Sequence, residues 1–347
     1  MALQGQALCY RLMGESLQVY FVPTNPELPG VLGRWKGVRT LVQTGIYVIR
    51  LFQALRRAAV VHVFGASFFY FFARVMPAVV VARLMGRRVI LNYRGGAAPS
   101  FFARFGWAAW PIVRLADLVT VPSAYLERCF AARTIACRVV PNLVDLQRFK
   151  YRRRQPGNAH LLVNRNLEPM YNVEMALRAF EIVKQQFPDA RLDVVGSGSQ
   201  ENSLRKWVAE HRLEGVAFHG AIAHERMPEF LDQADVLLNP TLVDNLPISL
   251  LEAFASGVPV VTTNVGGIPD LIGVTRAAVL VEPNNHEQMA GEILHLLTDP
   301  RLAAGFAERG MALAERFTWP SVRKCLFDSY YPSHGATFVG AEAEEEK

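Results

Sequence analysis

The chain has 347 residues, half of them apolar, and a net charge of +6; it is too long for one ordinary domain and long enough to bury two cores. Residues 1–150 carry 19 Lys/Arg against 5 Asp/Glu, whereas residues 151–347 carry 18 against 26, so an anionic partner is expected on the first half. No window of about 19 residues is uncharged enough for a membrane span, and neither zinc-finger spacing nor any other nucleic-acid signature accompanies the basic half. Cys9, Cys129, Cys137 and Cys325 have no metal or redox spacing and fit a reducing cytoplasm.

The opening residues, MALQGQALCYRLMGES, lack a sustained apolar segment, so no signal peptide is expected. LQVYFVP (17–23) then reads as a strand. The stretch VVHVFGASFFYFFARVMPAVVVARLMG (60–86) contains His62, Arg74, Pro77 and Arg83 and divides into a strand and a helix, a buried βα unit rather than a membrane span. Further strands are predicted over 59–65, 88–94, 118–123 and 137–142. The aromatics of FFYFFAR (68–74) and FFARFGWAAWPIVR (101–114) lie among arginines. They fit either an anionic membrane surface or a core beneath a solvated arginine face.

DLQRFKYRRRQPGNA (145–159) breaks the pattern with charge, Pro and Gly and reads as a linker. Beyond it, strands are expected over 160–166, 191–198, 215–222, 234–240, 257–264 and 277–283. Val173, Met175, Ala176, Ala179, Phe180 and Val183 recur at helical spacing until Pro188. Continuous apolar strands alternating with helices predict an α/β fold of two doubly wound, Rossmann-like domains with parallel sheets. The expected divisions are 1–150, 151–317, a closing helix over 318–331 and a disordered acidic tail over 332–347.

The chemistry concentrates in PTLVDNLPISLLEAFASGVPVV (240–261). A strand ending at Pro240 delivers its loop to the carboxyl edge of a parallel sheet, where ligands bind in such folds. A helix starting near Pro247 or Ile248 turns the amides of Ile248, Ser249 and Leu250 toward an anion, typically phosphate. Glu252 lies one turn in, on the strip Ser249–Glu252–Ser256. Two readings are open: Glu252 and Asp244 accept hydrogen bonds from sugar hydroxyls beside a phosphate, or Glu252 sits on a solvated face and Asp244 forms a turn. Arg165, just after a strand, is either a bidentate diphosphate ligand or a surface loop residue. Gly196-Ser197-Gly198 alone is a weak dinucleotide signal. A nicotinamide-type oxidoreductase would need a Gly-rich fingerprint after the first strand and an acid about 20 residues on, and neither stands there.

Asp244-x7-Glu252 followed by AFASGVPVVTTNVGGIPDLI closely resembles the paired-acid motif of family-4 retaining glycosyltransferases, which have the GT-B fold. VVPNLVDLQRF (139–149) is similar to that family's interdomain signature. Segments through VVGSGSQENSLRKWVAE, VAFHGAIAHERMPEFLDQADVLLNPT, LVEPNNHEQMAGEILHLLTDPRL and RFTWPSV keep the family's order, so the likeness spans residues 118–325. The usual motif has Glu at both positions and a Phe-Gly pair after the first; here Asp244 is followed by Asn245-Leu246-Pro247.

The resemblance implies roles for particular residues. Glu252 would hold the nucleotide ribose. Asp244, Asn245, Leu246, Ile248 and Ser249, with Gly196 in the donor-binding set, would hold the donor sugar and diphosphate. Arg165 would neutralise the leaving diphosphate. A lysine is expected about five residues later, where this chain has Met170, Tyr171 and Asn172; RNLEPMYN resembles a subgroup that replaces it. On the acceptor side Arg94-Gly95 stands where the family commonly shows His-Gly. Arg94 is no general base at neutral pH, but a front-face retaining transfer needs no enzymic nucleophile, because the leaving phosphate can take the proton. Family members open with a strand and a Gly-rich loop, whereas this chain is expected to begin within the following helix.

The implied protein is a retaining glycosyltransferase using a UDP- or GDP-linked sugar, with no cofactor and no metal. Its acceptor would be a saccharide or lipid-linked, and its place cytoplasmic, peripheral at the inner face of the membrane, without nucleic acid. The closing helix would cross back to the first domain. A catalytically impaired relative that binds nucleotide-sugars, or a scaffold, is the alternative.

Overall fold

The computed structural model describes residues 2–25, 36–154 and 159–331. The first domain runs through α1 (Ala2–Met13), α2 (Lys36–Leu55), β1 (Val60–Gly65), a π-turn (Phe71–Val75) leading into α3 (Met76–Leu84), β2 (Arg88–Tyr93), α4 (Ala98–Val113), β3 (Leu118–Val121), α5 (Ala124–Ala131) and β4 (Cys137–Val139). The second comprises β5 (His160–Asn164), α6 (Val173–Gln186), β6 (Arg191–Val195), α7 (Glu201–Glu210), β7 (Val216–Gly220), α8 (Met227–Gln233), β8 (Val236–Asn239), α9 (Ile248–Ala255), β9 (Val260–Thr263), α10 (Ile268–Ile272), β10 (Val279–Val281), α11 (His286–Thr298) and α12 (Pro300–Ala314). The closing helix is α13 (Trp319–Tyr330).

Among the described residues the strands form two parallel sheets, ordered β1-β2-β3-β4 and β10-β9-β8-β5-β6-β7. The reversal of strand order between β5 and β8 opens a crevice at their carboxyl ends, where a ligand can enter. Helices cover both faces of each sheet, which is why strands such as VILNY at 89–93 are buried along their length. α2 to α5 bury Leu51, Val79, Phe101 and Phe130 against one face of the first sheet. α1 and α13 bury Leu8, Leu326 and Tyr330 with Ile90 of the other face. α13 is fastened there by Tyr330, whose hydroxyl lies 2.9 Å from His62 Nδ1, and by Arg323, which binds Glu15.

One predicted strand is absent. Residues 17–23 form no ladder; Val22 packs on the core under α2 to α5, and Leu17 and Val19 pack on the core under α13. Apolar side chains hold this segment, and the sequence pattern does not distinguish that from pairing. The segment read as a linker is partly docked: buried Arg154 donates to the carbonyl of Ala234 at 2.6 Å and to those of Leu231 and Ser256. Residues 155–158 and the acidic tail over 332–347 lie outside the described residues. Among the described residues, no helix is long and apolar enough to cross a membrane.

Candidate active site

β8 ends at Asn239, and the loop 240–247 carries the chain over the sheet's carboxyl edge into α9. α9 starts at Ile248 behind Pro247, whose fixed φ suits the junction, and no side chain caps its amino end. Its first-turn amides are therefore available to an anionic ligand. Leu250, Leu251 and Phe254 bury one flank of the helix, worth about 1.5–3 kcal/mol each. On this flank α12 comes so close that a Cβ on Gly310 would lie 2.8 Å from the Phe254 ring. Gly257, at φ +70°, ends the helix and turns the chain toward β9. The platform under the paired acids is thus rigid.

Both acids find cationic or donor partners. Asp244 forms an ion pair with Arg165, which follows β5, and its Oδ1 accepts the amide of Asn245 at 2.7 Å. Arg165 lies 3.4 Å from Ser249 Oγ and stacks on Tyr171, 4.6 Å from the ring centroid. Burial pushes the Arg165 guanidinium down to about 10, so it remains a cation at neutral pH. Its Nε is buried and has no hydrogen-bond partner among the described residues. Met170, Tyr171 and Asn172 stand where the resemblance implies a lysine, and of these Tyr171 supplies a ring face to the arginine in place of a second charge.

Glu252 is 4% exposed, which removes the solvated-face alternative. Its Oε1 lies 2.5 Å from His224 Nε2, and His224 Nδ1 lies 3.0 Å from Arg148 Nη1. Neither His224 nor Arg148 was found by sequence reasoning, because positions 28 and 76 residues away in the chain leave no periodic trace.

Close backbone approaches shape the rest. Gly266 has φ +58°, and a Cβ there would collide with the Asp244 carbonyl. Gly196, at φ +141°, lies against the carbonyl of Arg165 in the same way, so its role here is to admit the loop that carries Arg165. The first domain reaches the same place: a Cβ on Gly96 would be 3.2 Å from the Asp244 backbone. Ser123 Oγ donates to Asn245 Oδ1, and Asn142 Nδ2 donates to the Leu246 carbonyl at 2.7 Å. Arg128 of α5 pairs with Asp270 of α10 at 2.7 Å.

Asp244, Asn245, Leu246, Ile248, Ser249, Glu252, Arg165 and Gly196 therefore gather at one sheet edge. The loop 94–96 faces them, but the Arg94 side chain does not join. Its guanidinium sits 5.4 Å from the centroid of the Phe64 ring, beside a small cavity lined by Gln4, Asn92, Val140 and Leu143. Burial pushes Arg94 down to about 10. Burial, and then the charge of Arg94, push neighbouring His62 down to about 3, so that imidazole is neutral. A cavity of about 500 Å³ lies elsewhere, between β5 to β7 and α8, lined by His160, Asp193, His219 and Phe230. It is remote from the paired acids and takes no part in this site. Among the described residues no cluster of His, Cys, Asp and Glu could hold a metal ion.

Residues 145–312 match the family model described as glycosyl transferases group 1. The chain is 30% identical over 271 residues to the GDP-mannose-dependent alpha-(1-6)-phosphatidylinositol monomannoside mannosyltransferase of Mycolicibacterium smegmatis, covering 69% of each chain. It is 29% identical over 227 residues to a glycogen synthase of Mycobacterium tuberculosis, spanning 63% of this chain and only 55% of that protein. In structure it superposes on Anabaena HepE in complex with UDP-glucose with a TM-score of 0.72 at 18% identity, over 93% of this chain and 88% of that one. Sucrose-phosphate synthase of Thermosynechococcus elongatus gives 0.69 at 18% identity, over 89% and 81%. The two parallel-sheet domains are those of the GT-B fold.

Proposed function

Because the chain belongs to the glycosyl transferases group 1 family, we propose that it transfers a sugar from a nucleotide-diphospho-sugar, with retention of configuration, to a saccharide or lipid-linked acceptor. The observation that carries this reading is the assembly of Arg165, Asp244, Ser249 and buried Glu252 around the uncapped start of α9. Glu252 accepts the ribose hydroxyls. The amides of Ile248 and Ser249 and the guanidinium of Arg165 face the diphosphate, so that negative charge developing on the leaving group meets fixed positive ends. Asp244, with one oxygen on Arg165, takes hydroxyls of the transferred sugar. A front-face transfer needs no enzymic nucleophile, and the leaving phosphate oxygen receives the acceptor's proton as the acceptor oxygen replaces it on the sugar. The donor is UDP- or GDP-linked: HepE was solved with UDP-glucose, and the mycobacterial relative is named for GDP-mannose. No metal or cofactor is required by this account.

Incubation with a panel of UDP- and GDP-sugars, scored for hydrolysis and transfer, tests the reading, with the anomeric configuration read by NMR. The expected product keeps the donor's configuration. Met170, Tyr171 and Asn172 in place of a second cation favour a second reading, a donor-binding relative without turnover. Tight donor binding with neither hydrolysis nor transfer would establish that alternative.

We also propose a cytoplasmic protein that docks on the inner face of an anionic membrane, consistent with the lipid acceptor named for the mycobacterial relative. The aromatic runs split between two roles. Phe71, Phe101, Phe102 and Trp110 are core, while Phe69, Leu84 and Trp107 are exposed. With Ile49 and Phe52 of α2, these exposed residues lie on the helical layer that also presents Arg50, Arg56, Arg104 and Arg114 to solvent. Such a surface inserts rings while its arginines meet lipid phosphates. Flotation with vesicles is expected to recover the protein on phosphatidylcholine–phosphatidylglycerol mixtures, less so at high salt, and not on phosphatidylcholine alone. Equal recovery on both compositions, or on neither, would contradict it.

A further inference from the structure

We propose that His224 is a positioning residue for Glu252, and that Arg148, from the segment joining the two domains, selects the tautomer in which it works. The inference rests on the reading of Glu252 as the ribose ligand.

The geometry settles the direction of each hydrogen bond. A guanidinium has donors only, so the 3.0 Å contact between Arg148 Nη1 and His224 Nδ1 requires Nδ1 to accept. The ring proton then resides on Nε2, which donates to Glu252 Oε1 at 2.5 Å. Arg148 is itself held by Glu225 Oε1 at 3.1 Å, and the ring of Phe149 meets the imidazole edge-on at 5.9 Å between centroids. The charged groups facing His224 are thus Arg148, Glu225 and Glu252. A neutral imidazole with a fixed Nε2–H anchors one carboxylate oxygen of Glu252 without neutralising it. The carboxylate's rotation is set, and its remaining lone pairs keep full acceptor strength for hydroxyl donors. Because Arg148 lies in VDLQRF, the interdomain segment contributes directly to the donor site.

The test compares isosteric variants by calorimetric titration with UDP and GDP. In His224→Gln the amide nitrogen falls near the place of Nε2 and can still donate to Glu252, whereas in His224→Asn it falls near Nδ1 and cannot. The nucleotide that binds wild type should bind the Gln variant within about three-fold and the Asn variant about ten-fold more weakly. Equal affinities for the two variants would show that His224 only fills space, and would overturn the proposal. Glu252→Ala, titrated alongside, separates the two claims: if it binds as tightly as wild type, the ribose assignment itself fails. Long-range 1H–15N correlations should show an Nε2–H tautomer in wild type and its loss as the single species in Arg148→Met. An Nδ1–H tautomer in wild type would also overturn the proposal.

Discussion

Replacing Arg165 by Met is expected to lower turnover about 10²- to 10³-fold, the range seen when one electrostatic contact to a developing charge is removed. In this chain the effect is expected at the upper end, because Met170, Tyr171 and Asn172 stand where a second cation is expected and the proposed site leaves Arg165 as the side-chain charge for the diphosphate. The same change strips Asp244 of its counter-ion. Breaking a sealed ion pair from one side costs about 3–5 kcal/mol, but the Asp244 side chain keeps 17% exposure at the cleft, so the loss lies near or below the low end. The double variant Arg165→Met/Asp244→Asn, set against Asp244→Asn alone to subtract the loss of the sugar-binding carboxylate, separates the effects. Thermal melts should show stability largely restored, while turnover stays low. If turnover returned with stability, Arg165 would serve only to neutralise Asp244, and its role on the diphosphate would be withdrawn.

Glu252→Ala should weaken nucleotide binding about 10- to 100-fold, since hydrogen bonds to a charged acceptor are worth about 1.5–3 kcal/mol. The fold should survive. The side chain lies at the cleft end of α9, away from the apolar flank of Leu250, Leu251 and Phe254 that anchors the helix. The local penalty is the loss of the acceptor for His224 Nε2–H, about 1–3 kcal/mol. Calorimetry and a thermal melt on the same sample would separate affinity from stability. Unchanged affinity would mean that the hydroxyls bind elsewhere and that Glu252 is a structural partner of His224.

What could be read from the sequence was what is local in the chain. The strand, loop and helix of 234–255 place Asp244, Asn245, Ile248, Ser249 and Glu252 by short-range geometry, so their assembly at a sheet edge followed from the order of residues. Arg165 was found for the same reason, standing one residue beyond β5. The partners were not legible. His224, Arg148, Ser123 and Asn142 reach the site through the fold, and no spacing announces them. Burial was left open for a related reason. Glu252 on its strip with Ser249 and Ser256 resembles a solvated helix face, but these three are buried, and His224, Arg165 and the segment carrying Arg152 and Arg154 lie against them. At 17–23 the apolar residues were real but their use was not: they pack on two cores instead of pairing with β1. Arg94 sits where the sequence puts it, directly after β2, yet its side chain turns to Phe64; backbone position is local and side-chain direction is not.

The most direct measurement is a crystal structure with the nucleotide diphosphate that binds most tightly. The account predicts the ribose hydroxyls on Glu252, with His224 still holding the other side of that carboxylate, and the diphosphate between Arg165 and the first amides of α9. A nucleotide bound away from these residues, or with its diphosphate out of reach of Arg165, would contradict it.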